Sequence, residues 1–269
     1  MDLHPRNHDF KWTAVRGPFR LISDAQARSF NERGYFILEN VLDRVTIERT
    51  IEAIAPWEAK GEEFLRTQPN KRAFIAEADG ITFTIHLVKR AQALRALSAA
   101  PVFTDLCRDL MGPDVRMYWD QAVYKKPEYP KPFPWHQDNG YTYVEPQQYL
   151  TCWIPLTDAD EKNGCPWVIP GGHLRGTLKH NLTELGWVCR DEDGPEAMPV
   201  PARAGSVVVF SSLMPHRTGP NLTKEVRKTY ILQYAPDGAR IVETNTPCTA
   251  PDRQYPILQA GERVTPPAL

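Results

Sequence analysis

The sequence has no surplus of either charge: 32 Lys and Arg are set against 33 Asp and Glu, a formal net charge of -1. A chain that grips a phosphate backbone needs a basic stripe, so nucleic acid is excluded as a partner class. Long hydrophobic runs are missing as well. No stretch approaches the roughly eighteen apolar residues of a membrane span, and Met1 to Gly17 carries charges and a proline where a secretory leader needs an apolar segment. The five cysteines are odd in number, scattered and never spaced as C-x-x-C, which excludes a disulfide framework and a thiolate zinc site. Repeats and low-complexity tracts are absent too. These absences predict a cytoplasmic protein with reduced thiols and no membrane association, whose 42% hydrophobic residues suffice for a globular core.

What is present changes character near Gly112. Ser23 with Gln26 forms a capping box for a helix over Asp24 to Arg33, which Gly34 stops. Tyr35 to Leu38 reads as a short strand, and Val45, Ile47, Ile51 and Ile54 recur at helical spacing in a second helix from about Leu42. Two more helices are expected over Ala91 to Ala99 and Val102 to Met111. Beyond Val115 the segments become short, rich in Val, Tyr, Trp and Thr, and broken by Pro and Gly. About eight strands are expected: Val115–Tyr124, Pro134–Gln137, Gln148–Pro155, Cys165–Ile169, Leu174–Leu178, Trp187–Arg190, Ser206–Phe210 and Lys228–Tyr234. That is the strand count of a jelly roll, so the fold class expected is mainly β with flanking helices. A single domain over 1–269 is expected, with a helical part at about 18–112, a β core at about 113–236 and an irregular tail at 237–269 that packs loosely or covers a neighbour.

His136-Gln137-Asp138 is the first chemical feature. In a strand, residues two apart share a face, so the imidazole and the carboxylate can converge on one point. Alone the triplet is weak, since roughly 0.4 such triplets arise by chance in this composition. His216, just beyond the apolar run Val207 to Phe210, supplies a third candidate ligand. Two histidines and one carboxylate on one side of a metal form the facial triad that suits non-haem Fe(II), and leave positions open for a co-substrate and O2. Arg227, eleven residues on, carries the guanidinium best suited to the far end of a dicarboxylic acid, and Thr218 could add a hydroxyl. Two His and one Asp would equally suit a hydrolytic zinc site, and a jelly roll could bind a metal or small molecule without turnover. Arg227 speaks against the passive binder, which has little use for it, and dependence on O2 and 2-oxoglutarate would separate the oxygenase from a zinc hydrolase.

Pro134-Trp-His-Gln-Asp-Asn139, Cys152-Trp-Ile-Pro-Leu156, Asn163-Gly-Cys165, Ile169-Pro-Gly-Gly-His173 and Gly205 through His216 to Arg227 together resemble the phytanoyl-CoA dioxygenase family of Fe(II)- and 2-oxoglutarate-dependent oxygenases. The likeness runs from about Ser23 to Tyr234. It implies a double-stranded β-helix of the cupin-like, jelly-roll type, with iron on His136, Asp138 and His216 and the distal carboxylate of 2-oxoglutarate on Arg227 and Thr218. It also implies that Trp153, Tyr124 and Thr151 line the co-substrate pocket. Related halogenating enzymes carry a small residue in place of the carboxylate, so Asp138 points to hydroxylation, desaturation or ring closure. The reaction implied oxidises a C–H bond of a small molecule while 2-oxoglutarate and O2 yield succinate and CO2. Glu58 to Ile85 and the loop Lys125 to Phe133 are candidates for the mouth and lid. Lys125, Lys126 and Lys131 read as a solvated cluster, and His173 as structural. No basic groove for a CoA nucleotide stands out, which favours a free small molecule as substrate. Oligomeric state is not readable.

Overall fold

A computed structural model describes residues 1–269. The helical part holds α1 (Asp24–Arg33), β1 (Tyr35–Leu38), α2 (Arg44–Thr67), β2 (Arg72–Ala73), β3 (Ala76–Glu77), β4 (Ile81–Ile85), α3 (Gln92–Ser98) and α4 (Pro101–Met111). There follow β5 (Val115–Lys125), β6 (Phe133–His136), β7 (Val144–Glu145), β8 (Leu150–Pro155), β9 (Pro166–Val168), β10 (Asn181–Thr183) and β11 (Gly186–Val188). The chain finishes with β12 (Met198–Pro199), β13 (Val207–Ser211), β14 (His216–Thr218), β15 (Arg227–Pro236), β16 (Arg240–Ile241), β17 (Thr246–Pro247), β18 (Pro256–Gln259) and β19 (Glu262–Arg263).

Two antiparallel sheets face each other in the double-stranded β-helix arrangement. The larger runs β1-β13-β8-β15-β5-β4-β3-β2, and the smaller β12-β9-β14-β6. Strand alternation gives the larger sheet two apolar faces. Its outer face (Leu150, Cys152, Ile154, Val207, Val209, Tyr230, Leu232) packs on Ile54 of α2 and on Phe103 and Leu106 of α4 in one core of 31 buried residues. Its inner face presents Trp153, Val208 and Phe210 to Val168 of the smaller sheet.

Local chemistry explains the helix ends. Ser23 Oγ accepts the Gln26 N–H and the Gln26 side chain accepts the Ser23 N–H, while Gly34 closes α1 at φ +83°, a left-handed conformation in which a side chain would be strained. Pro101 opens α4 at the first turn, where its missing N–H removes no helical bond.

Two expectations need correction, and one group of strands was not foreseen. Residues 174–178 are not a strand: Gly172–Arg175 is a 3-10 turn, and Leu178 makes only an isolated bridge to Leu3. The segment 58–85 holds the end of α2 and an unexpected three-stranded meander, β2 to β4. The tail is ordered as well, for β18 pairs with β5 and seats Ile257 and Leu258, both fully buried, in the main core. Its prolines disguise a strand at a sheet edge, where a residue without an N–H is tolerated.

Candidate active site

The smaller sheet sets His216 of β14 directly opposite His136 of β6. Their ring centroids are 4.1 Å apart, and His216 Nε2 lies 3.9 Å from Asp138 Oδ1. One ligand atom from each of His136, Asp138 and His216 lies within 4.8 Å of the others. Both rings are oriented alike, with Nδ1 on the carbonyl two residues earlier: Pro134 O at 2.8 Å for His136 and Met214 O at 2.9 Å for His216. A carbonyl only accepts, so Nδ1 carries the proton and Nε2 keeps its lone pair for a ligand. Asp138 Oδ2 accepts from the Thr151 hydroxyl at 2.5 Å, and Gln233 Nε2 donates to Thr151 Oγ1 at 3.3 Å. Burial pushes the Asp138 carboxyl above its ordinary value, and burial followed by the neighbouring His216 pushes His136 well below its own. A buried carboxyl beside two imidazoles, each with its Nδ1 tied to a carbonyl, is a donor set that fits a divalent cation of the Fe(II) type.

A second cluster lies at the other end of the inner face. Arg227 opens β15 opposite Lys125, the last residue of β5. The two are 1% and 0% exposed, and neither belongs to an ion pair. Lys125 Nζ donates to Thr218 O at 3.2 Å and to Gly219 O, while Arg227 Nη1 donates to Thr229 Oγ1. Arg227 Nε and Nη2 are buried without a partner. Burial holds Arg227 down at about 10, and burial with the Arg227 charge holds Lys125 well below its usual value. Two buried cations side by side, with guanidinium donors unused, make a receptacle for an anion such as a carboxylate.

The structure thus brings His136, Asp138 and His216 together and gives Arg227 the setting of an anion site. Trp153 lies 5.5 Å beneath the guanidinium, so it flanks the anion end. Thr218 follows His216 on β14, its carbonyl engaged by Lys125 and its hydroxyl unpaired. Thr151 stands beside the donor cluster, its hydroxyl committed to Asp138. Tyr124 is a correction. Lys125 shares the face of Arg227, so Tyr124 must point the other way, and it is buried in the core beneath α2 with Ile54. Lys125 is the residue that the cluster reading missed, because two adjacent lysines do not reveal which one points inward. Lys126 pairs with Glu58 at 2.6 Å and Lys131 with Glu77 at 2.8 Å. The loop from Lys125 to Phe133 is no free lid either, since Tyr129 and Lys131 tie it to Glu77 and only Phe133 reaches the cavity. His173 packs edge-on against Trp12 with ring centroids 4.4 Å apart.

A cavity of 580 Å³ opens from His136 and Asp138 outwards between β4, β5 and the β2–β3 hairpin. Residues 61–85 supply much of its wall. No helix is long and apolar enough to cross a membrane, and all five cysteines are free and buried.

Known proteins are similar to this chain in sequence and in architecture. A methylphosphonate hydroxylase from Gimesia maris is 28% identical over 218 residues, covering 79% of this chain and 80% of its own. Among solved structures, the non-haem alpha-ketoglutarate-dependent carbocyclase SnoK from nogalamycin biosynthesis superposes with a TM-score of 0.68 at 22% identity, covering 84% of this chain and 89% of its own. EvdO2 from Micromonospora carbonacea, solved with 2-oxoglutarate, superposes with a TM-score of 0.64 at 24% identity, covering 86% of this chain and 97% of its own. The model of the phytanoyl-CoA dioxygenase family matches residues 30–229, well over half of the sequence. This chain belongs to the phytanoyl-CoA dioxygenase family.

Proposed function

We propose that this chain, acting as a single cytoplasmic oxygenase domain, oxidises an unactivated C–H bond of a small organic molecule, by hydroxylation in the first instance. Its class is that of an Fe(II)- and 2-oxoglutarate-dependent dioxygenase, in keeping with its family and with the His-Asp-His cluster. His136, Asp138 and His216 hold the iron through His136 Nε2, His216 Nε2 and an Asp138 oxygen. When bound, iron and 2-oxoglutarate supply the oxidising power, with O2 consumed and succinate and CO2 released. The protein's own residues orient and exclude. The Pro134 and Met214 carbonyls fix the two imidazoles, Thr151 with Gln233 fixes the carboxylate, and Arg227 with Lys125 clamps the distal carboxylate of the co-substrate beside Trp153 and Thr218.

The observation that carries this reading is the coexistence of the three-donor cluster with an unmatched pair of buried cations on the same inner face. A zinc hydrolase or a passive binding protein needs the first and has no use for the second. Anaerobic titration of the apoprotein with Fe(II) and 2-oxoglutarate tests it. The weak visible charge-transfer band of a chelated complex is expected in wild type and is lost in His216→Ala and Arg227→Ala. A folded, iron-loaded wild type without the band overturns the oxygenase reading.

A further inference from the structure

We infer that the substrate is an uncharged, largely apolar molecule of drug-like size, and that the cavity does not select a phosphonate or any other small anion. This rests on the oxygenase reading for where the chemistry occurs, and goes beyond it in naming what enters. The 580 Å³ cavity begins at His136 and Asp138, and no Lys or Arg lines it. Its walls are built from apolar and aromatic side chains, among them Ile75, Phe83, Ile85, Trp119, Phe133 and Trp187. Of the cations on the surrounding segments, Lys126 pairs with Glu58, Lys131 with Glu77 and Arg66 with Asp79 at 2.8 Å, while Arg72 of β2 donates to Glu184 O and lies outside the lining. An anion drawn into such a space would lose its hydration and meet no lysine or arginine in the wall, and the charge of a bound Fe(II) would already be offset by Asp138 and the 2-oxoglutarate carboxylates. Arg227 and Lys125 do not serve here, for they lie outside the lining and face the co-substrate end. The polar groups that remain, Gln121, Thr84 and Thr142 among them, suit a hydroxyl or carbonyl on an otherwise apolar body.

The mouth has the same character. Phe64 and Phe74 are 55% and 61% exposed at its rim, although apolar side chains of this size normally seek burial. Phe74 sits at the tip of the β2–β3 hairpin with φ +52°, a left-handed backbone that phenylalanine disfavours. Beside it Ile75 closes on Gly186 of the β10–β11 hairpin, where an added Cβ would lie 2.8 Å from Ile75 Cγ2. Two hairpins therefore meet over an apolar opening, next to Trp187.

The test uses the anaerobic enzyme loaded with Fe(II) and 2-oxoglutarate, whose visible band checks the cofactor reading separately. It is titrated with Nile red, a neutral fused-ring dye, and with methylphosphonate. The dye is expected to bind with enhanced, blue-shifted emission, while methylphosphonate neither displaces it nor moves the band. A charge set into the wall by Ile75→Asp or by Ile85→Lys, both with the band retained, should weaken the dye at least about tenfold. Methylphosphonate that shifts the band or displaces the dye overturns the inference, as does unchanged dye affinity in both variants. A wild type lacking the band fails the oxygenase reading itself, and is recognised as such before any dye is added.

Discussion

Lys125 has no exposed surface and no carboxylate beside it, so its charged form is held at a penalty until an anion arrives. Lys125→Met is therefore expected to weaken 2-oxoglutarate binding about tenfold by calorimetry, in line with the loss of a charge-assisted bond at a dry site. An unchanged dissociation constant would mean that the lysine serves only the Thr218 and Gly219 carbonyls. At this scale the sequence was legible where residue identity and spacing sufficed. His136, Asp138 and His216 stand together in the structure, and Arg227 turns inward as an unpaired cation. It was not legible where a single step of strand parity decides. Tyr124 and Lys125 are neighbours, and only the register that sets Lys125 against Arg227 sends one to the core and the other to the site. Thr151 shows another limit, since no sequence pattern tells that its hydroxyl is taken by Asp138.

Among the elements, α1 was readable to the residue because its ends are written in local chemistry, a capping box and a glycine. β18 was not, because its partner β5 lies more than a hundred residues earlier and the prolines of the tail around it signal irregularity. The meander β2 to β4 escaped notice because its first two strands have only two residues each and are held by each other, by β4 and by α2 rather than by their own propensity. β18 nevertheless carries stability. Leu258 is fully buried between β5 and α4, so Leu258→Ala should destabilise the fold by about 2–5 kcal/mol, read as a lower urea midpoint. Co-substrate affinity should hold, because the side chain lies on the helix face of the sheet, away from Arg227. Loss of less than about 0.5 kcal/mol would mean that the tail is only draped over the surface.

Over the whole molecule, buried histidines set the response to acid. His86, His173 and His180 are each held down at about 4, in all three by burial first. Between that value and the ordinary 6.5, the unfolded chain binds protons that the folded chain refuses. Their contribution is complete above pH 6.5 and drains as pH falls towards 4. Asp120 runs the other way: burial raises it to about 6 despite the Tyr230 hydroxyl it accepts at 2.9 Å, so its contribution is present at low pH and lost as pH climbs through 6. Three groups outweigh one, and the urea midpoint at pH 5 is expected below that at pH 7.5; an equal or higher midpoint at pH 5 would contradict the balance. The topology also dictates an order in time. His216 follows His136 by 80 residues, and β15, which carries Arg227, must enter the sheet between β8 and β5, both made earlier. A chain still being synthesised therefore possesses neither the three donors nor the pair of cations until most of its length has emerged. A three-ligand iron site is therefore available only late, once β14 has been made and set against β6.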